Sequence, residues 1–201
     1  KYVKIGDVIG FTTRFSPFGD GLMKGKALDD RLGCAALLEL IKHDYACDLY
    51  AAFTVSEEVG LRGARVAANR IAPELALVLE GTTANDMPDA QGHECVTRLG
   101  DGPAISFMDI GTVVKTPMLR ALTGTAEKAG IPYQLRRGTR GGNDGGVIHR
   151  MGAGAITGSV SVPCRYIHSP VSVASRSDYE NTIALVDAFL GTEKFREVLG
   201  R

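Results

Sequence analysis

Leu49-Tyr50-Ala51-Ala52-Phe53-Thr54-Val55-Ser56-Glu57-Glu58-Val59-Gly60-Leu61-Arg62-Gly63 is the stretch that decides how this chain is read. Its apolar run over 49–55 has the character of a buried strand, and a helix-like segment follows over 62–70. Two adjacent carboxylates therefore stand at the end of a strand. Acids there are costly to desolvate unless a cation, a partner or a reaction uses them. Neighbouring side chains on a strand point apart, so Glu57 and Glu58 can hold different tasks, one on a cation and one on a proton.

Outward from this stretch, strand and helix signals alternate. Strands are expected at 48–55, 75–80, 104–108, 133–136 and 154–161, and helices at 60–70, 116–129, 144–151 and 177–199. An amphipathic helix is expected after Lys26, with Leu32, Ala35, Ala36, Leu38 and Ile41 on its stripe. Residues 1–15 read as strand, turn and strand, and 16–26 as a connector. The alternation predicts an α/β three-layer sandwich with a mostly parallel central sheet and helices on both faces. In such sheets the ligand site lies at the carboxyl ends of the strands.

Composition narrows the function. The 201 residues are 44% hydrophobic, which suits one compact domain or one domain with a small appendage. Lys plus Arg equals Asp plus Glu, 23 of each, so no charge excess argues for nucleic acid or an acidic membrane surface. No apolar run approaches the ~20 residues that span a bilayer. The four cysteines, Cys34, Cys47, Cys95 and Cys164, lack metal or redox spacing, which points to reduced thiols in a cytoplasmic protein.

Acids and one imidazole fall at strand ends or helix starts: Asp29-Asp30, Glu57-Glu58, Glu80, Asp144 and His168. Singly, each has a plain structural reading. Asp29-Asp30 caps a helix, Glu80 is a solvated strand end, and His168 is a hydrogen-bonded core residue. Together, carboxylates and an imidazole on one rim suit zinc or a similar divalent ion, and several carboxylates suit two ions that share one of them. His43, His93 and His149 are weaker candidates. The turn Gly138-Thr139-Arg140-Gly141-Gly142-Asn143-Asp144-Gly145-Gly146 lacks either phosphate-loop pattern and reads as a place where backbone approaches the site closely.

Five segments, in order, resemble the tetrahedral (TET-type) metallo-aminopeptidases. This family includes glutamyl and deblocking aminopeptidases, and its members are also described as cellulase or endoglucanase. The segments are Lys26-Ala27-Leu28-Asp29-Asp30-Arg31-Leu32-Gly33, Ser56 to Ala64, Glu80 with Asp86-Met87-Pro88, Gly141 to His149, and Pro163-Cys164-Arg165-Tyr166-Ile167-His168-Ser169. The resemblance implies a zinc-exopeptidase-like fold and two divalent ions, zinc or cobalt. It makes Asp29 the shared carboxylate, Glu58 and His168 ligands of one ion, Glu80 a ligand of the other and Glu57 the general base. It further implies a cis peptide between Asp29 and Asp30. Glu80 stands where Asp is common in the family and keeps the oxygen donor. Asn143 stands where Thr is common.

By the same resemblance, residues 1–22 are the last strands of an inserted β-domain plus a connector, and 23–201 are the catalytic domain. The family's His-x-Asp motif, which supplies the last metal ligand, is expected upstream of Lys1. The implied activity is hydrolysis of N-terminal residues from peptides by a homo-oligomer, a dodecamer in the family. The alternatives are a related metal-dependent deacylase or dipeptidase, and a non-catalytic assembly domain that lacks one ligand. A polysaccharide hydrolase is disfavoured, because its paired carboxylates need neither metal nor imidazole.

Overall fold

The computed structural model describes residues 2–200. Its elements are β1 (Ser16–Phe18), β2 (Leu22–Gly25), α1 (Leu28–Leu40), α2 (Arg62–Ile71), β3 (Leu75–Thr83), β4 (Ala104–Ile105), α3 (Thr116–Ala129), β5 (Gln134–Leu135), α4 (Gly145–Ile148), β6 (Ile156–Arg165), β7 (Ser172–Ser175), α5 (Arg176–Gly191) and α6 (Lys194–Leu199).

β6 is the spine of the sheet. One edge carries β3 in parallel along its length, with Leu75 opposite Ile156 and Thr83 opposite Cys164. The other edge carries β4 at Val160 and Ser161, then β7 at Cys164 and Arg165, both antiparallel. β2 extends the sheet from β7, and β1 from β2, again antiparallel, while β5 joins β4 in parallel. The sheet is therefore mixed. Four of its six pairings are antiparallel, which corrects the expected mostly parallel sheet. Alternation of strand and helix signals reports order along the chain, not direction in the sheet. The short strands β2, β4 and β7 enter against β6 or against one another, and only the β3–β6 pair has the long parallel ladder.

A run of apolar residues becomes a strand only with a neighbour to pair with. Residues 48–55 find no ladder partner among the described residues, and Leu49, Tyr50, Phe53 and Val55 are 42%, 66%, 48% and 70% exposed. The strand expected there is absent, as are the strands expected over residues 2–15. The helix expected over 177–199 is divided into α5 and α6 at Glu193, which takes φ 55°. By contrast α3 begins and ends as expected, with Pro at its start and left-handed Gly130 closing it.

The main core lies on one face of the sheet. Leu79 and Val160 meet Ala36 and Leu40 of α1, Met118 and Leu122 of α3, Leu185 and Phe189 of α5, and Phe195 of α6. A second cluster gathers Met23, Leu28, Leu32, Val162, Cys164 and Ala174. Residues adjacent on a strand face opposite ways. Glu80 and its β6 neighbours Ser159 and Ser161 thus look away from Leu79 and Val160, toward the turn that leads into α4. Among the described residues no helix is long and apolar enough to cross a membrane.

Candidate metal centre

Asp29 sits at the start of α1, but its backbone is not helical, with φ −87° and ψ 111°, and the Asp29–Asp30 peptide is cis, as the resemblance implies. Its side chain lies against β3. The Gly81 backbone N–H donates to Asp29 Oδ1 at 3.2 Å. A Cβ on Gly81 would come within 2.7 Å of Asp29 Cβ, so the approach of α1 to β3 here depends on glycine. Gly33 acts likewise one turn on. Its N–H donates to Asp30 Oδ1 at 3.0 Å, and a side chain there would collide with the Asp30 carboxylate.

Glu58 comes from the turn before α2 and His168 from the loop between β6 and β7. His168 Nε2 lies 3.2 Å from Glu58 Oε1 and 3.5 Å from Asp29 Oδ2. One ligand atom from each of Asp29, Glu58 and His168 falls within 4.8 Å of the others. The three segments meet through uncommon backbone. Ala27, Ser56, Tyr166 and His168 all hold φ between 53° and 61°, a region costly for residues other than glycine and one that clusters at functional sites.

Glu80 lies outside that group. Its Oε1 accepts from Asn143 Nδ2 at 2.8 Å, Ser161 Oγ at 3.2 Å and Ser159 Oγ at 3.3 Å. These donors orient the carboxylate and leave Oε2 without a protein donor among the described residues. Glu57 is partly buried beside Glu58, Asp144 and Asp29. Asp144 Oδ2 accepts from Thr54 Oγ1 at 2.5 Å, while its Oδ1 is buried with no partner. His149 turns elsewhere, its Nδ1 2.7 Å from the Gly145 carbonyl.

Loss of hydration and mutual repulsion both favour protons on these acids. Burial, then the charges of Glu58, Asp144 and Asp29, push Glu57 up to about 7, against a pull down from His168. Burial, with the charges of Asp29 and Asp30, pushes Glu80 up to about 8 in spite of the Asn143 hydrogen bond. Asp29 is raised by burial and by Glu58. A site with so many carboxylates and one imidazole is short of positive charge, and its oxygen and nitrogen donors suit zinc or a neighbouring divalent metal. The residues present fit such an ion.

Ser159, Ser161 and Thr54 were not singled out from sequence, and Asn143 only as a residue standing where Thr is common in the family. Ser159 and Ser161 carry a faint signal, hydroxyls that with Thr157 fall at alternate positions of β6. Thr54 carries none.

The fold brings two carboxylates and an imidazole from three separate segments into one group able to hold a metal ion, the donor set of a metal-site protein. Residues 1–185 match the M42 glutamyl aminopeptidase family, and the chain belongs to it. It is 34% identical over 190 residues to lysyl aminopeptidase of Pyrococcus furiosus, covering 93% of this chain and 54% of that protein. Among solved structures, it resembles a TET aminopeptidase from a marine-sediment Thaumarchaeota archaeon at a TM-score of 0.89 and 36% identity, covering 94% of this chain and 54% of that one. It also resembles the TET1 peptidase of Pyrococcus horikoshii, described as assembling into a tetrahedron or a large octahedral shell, at a TM-score of 0.74 and 32% identity, covering 90% of this chain and 53% of that one. The chain spans about half the length of the curated relatives it matches, 54–56% of the first three.

Proposed function

We propose that this chain carries the catalytic residues of a metal-dependent aminopeptidase acting on peptides. The grouping of Asp29, Glu58 and His168 in a member of this family carries the reading. In it, Asp29, Glu58 and His168 would hold one divalent ion, zinc or cobalt. Asp29 and Glu80 would offer carboxylates to a second. Bound divalent ions would supply Lewis acidity toward the scissile carbonyl and lower the pKa of water.

The chain's own residues supply the rest. Glu57, next to Glu58 but outside the ligand group, takes the proton from the attacking water and passes it to the departing amine nitrogen. Asn143, Ser159 and Ser161 fix the Glu80 carboxylate through its Oε1. Glu80 and Asp29 offer no imidazole to a second ion, so the 201-residue chain would hold one ion firmly. A further donor, expected upstream, completes the pair. We propose further that residues 1–22 belong to an inserted β-domain and 23–201 to the catalytic domain. The whole protein works as a homo-oligomer, and the four free thiols suit a cytoplasmic setting.

The test is hydrolysis of an aminoacyl-anilide and of its N-acetylated form by the intact gene product, with and without chelator. The reading expects cleavage of the free-amine substrate alone, lost with chelator and restored by zinc or cobalt. Equal cleavage of the acetylated substrate, or indifference to chelator, contradicts it.

A further inference from the structure

Glu57 and Glu58 ride on residues 48–61, a segment with no strand ladder to hold it among the described residues. Local backbone bonds shape its end. The Gly63 N–H donates to the Val55 carbonyl at 2.9 Å, and Gly60 and Leu61 donate to the Glu57 carbonyl at 3.1 and 3.0 Å. These bonds fix the turn within itself. They do not fix it relative to β3 or to His168.

Thr54 does make a long-range connection. Its hydroxyl donates to Asp144 Oδ2 at 2.5 Å, across 90 positions of sequence. Asp144 is 8% exposed and Asn143, its neighbour, 4%. Asn143 donates through Nδ2 to Glu80, and its Oδ1 accepts from the Gly145 N–H at 2.8 Å, which fixes its amide orientation. A Cβ on Gly145 would approach that Oδ1 to 2.8 Å, so glycine there lets the turn close tightly. Two consecutive buried side chains thus grip two different parts of the site. Asn143 holds Glu80 on β3, and Asp144 holds the segment bearing Glu57 and Glu58.

We infer that Asp144 is a positioning residue that acts through Thr54, setting where Glu57 and Glu58 stand relative to the rim of the sheet. The inference rests on the metal-dependent reading above. Asp144 is not itself in the ligand group, and its second oxygen is sealed in the protein, so it acts through the hydroxyl it holds. A charge-assisted hydrogen bond of this kind is stronger than a neutral one, and a buried carboxylate that loses its only donor is left without compensation. The Thr54–Asp144 bond stands in for the ladder that the segment lacks.

The test is a titration of the 201-residue chain with Co²⁺, followed by visible absorption, with metal-free thermal unfolding on the same samples. Thr54→Val keeps volume and removes the donor, and it is expected to weaken Co²⁺ binding roughly tenfold, the loss of about one charge-assisted hydrogen bond. Thr54→Ser restores the hydroxyl and should recover most of that affinity. Asp144→Ala should match Thr54→Val, and the double variant should be no weaker than the worse single one, because the two residues share one interaction. In the intact enzyme Thr54→Val should lower kcat with KM little changed. Wild-type binding together with undiminished affinity in Thr54→Val, or a double variant in which the two losses multiply, overturns the positioning role alone. A wild-type chain that takes up no Co²⁺ overturns the metal reading and this inference with it.

Discussion

Gly81 donates its backbone N–H to Asp29 and leaves empty the space in which Asp29 Cβ lies; a side chain at 81 would come within 2.7 Å of that atom. Asp29 belongs both to the Asp29–Glu58–His168 group and to the proposed second site, so this contact sets the depth at which the whole arrangement is held against β3. The colliding atom is a Cβ next to the backbone, not the far end of a flexible side chain.

Gly81→Ala is therefore expected to displace Asp29 and lower zinc affinity tenfold or more. Overpacking should cost about 1–3 kcal/mol of stability. Calorimetric zinc titration beside thermal unfolding measures both. Unchanged affinity would show that Asp29 is free to move and that the glycine serves only packing.

Glu57 and Glu58 are adjacent yet differently placed, one outside the ligand group and one in it. In the intact enzyme, Glu57→Gln should keep its metal content and lose about 10²–10⁴ in kcat, the usual worth of a general base. Glu58→Gln should lose metal first. Elemental analysis and turnover on the same preparations separate them, and two variants alike in both assays would refute this division of roles.

The raised acids make a pH prediction. Glu57 and Glu80 have folded values of about 7 and about 8 against ordinary values of 4.5, so between those limits the folded chain binds more protons than the unfolded one. Stability of the metal-free chain then falls as pH rises through that window. A divalent ion displaces those protons, so zinc should remove the decline and its binding should release protons near neutral pH. Unfolding temperatures from pH 5 to 8 with chelator or zinc, and binding heats in buffers of different ionisation enthalpy, test this. A metal-free chain that gains stability toward pH 8 would contradict it.

Away from the site, Asp178 at the start of α5 is fully buried and accepts from the Gly100 and Gly102 N–H groups at 2.8 and 2.9 Å. Asp178→Ala leaves those donors unsatisfied and should cost about 2–3 kcal/mol in denaturant unfolding while leaving zinc affinity intact. Loss of affinity together with stability would tie this loop to the metal group.

The sequence announces what local chemistry dictates. α3 could be read at both ends because Pro117 and Gly130 punctuate it. Asp29, Glu58 and His168 stood out as acids and an imidazole at strand ends or helix starts, and their roles came from the family resemblance. What depends on neighbours was hidden. The run 49–55 has a strand's composition, but composition does not supply a pairing partner. The mixed direction of the sheet is a property of how β2, β4 and β7 enter it. The two serine donors to Glu80 emerge only from the β3–β6 register, which sets Glu80 opposite Ser161, and the Asn143 donor only from the packing of the turn before α4 against β3. The final helix breaks between Gly191, which ends α5, and left-handed Glu193, which opens α6, inside an apolar stripe that reads as continuous.

The central claim is that Asp29, Glu58 and His168 form one divalent-ion site, and zinc stoichiometry of the 201-residue chain tests it most directly. Elemental analysis after dialysis against trace-metal-free buffer should find one tightly held zinc per chain in the wild type. His168→Ala, which removes the only imidazole of the group from an exposed loop, should hold almost none while keeping its unfolding temperature in chelator. A wild-type chain that retains no zinc, or a His168→Ala chain that retains it in full, would contradict the account.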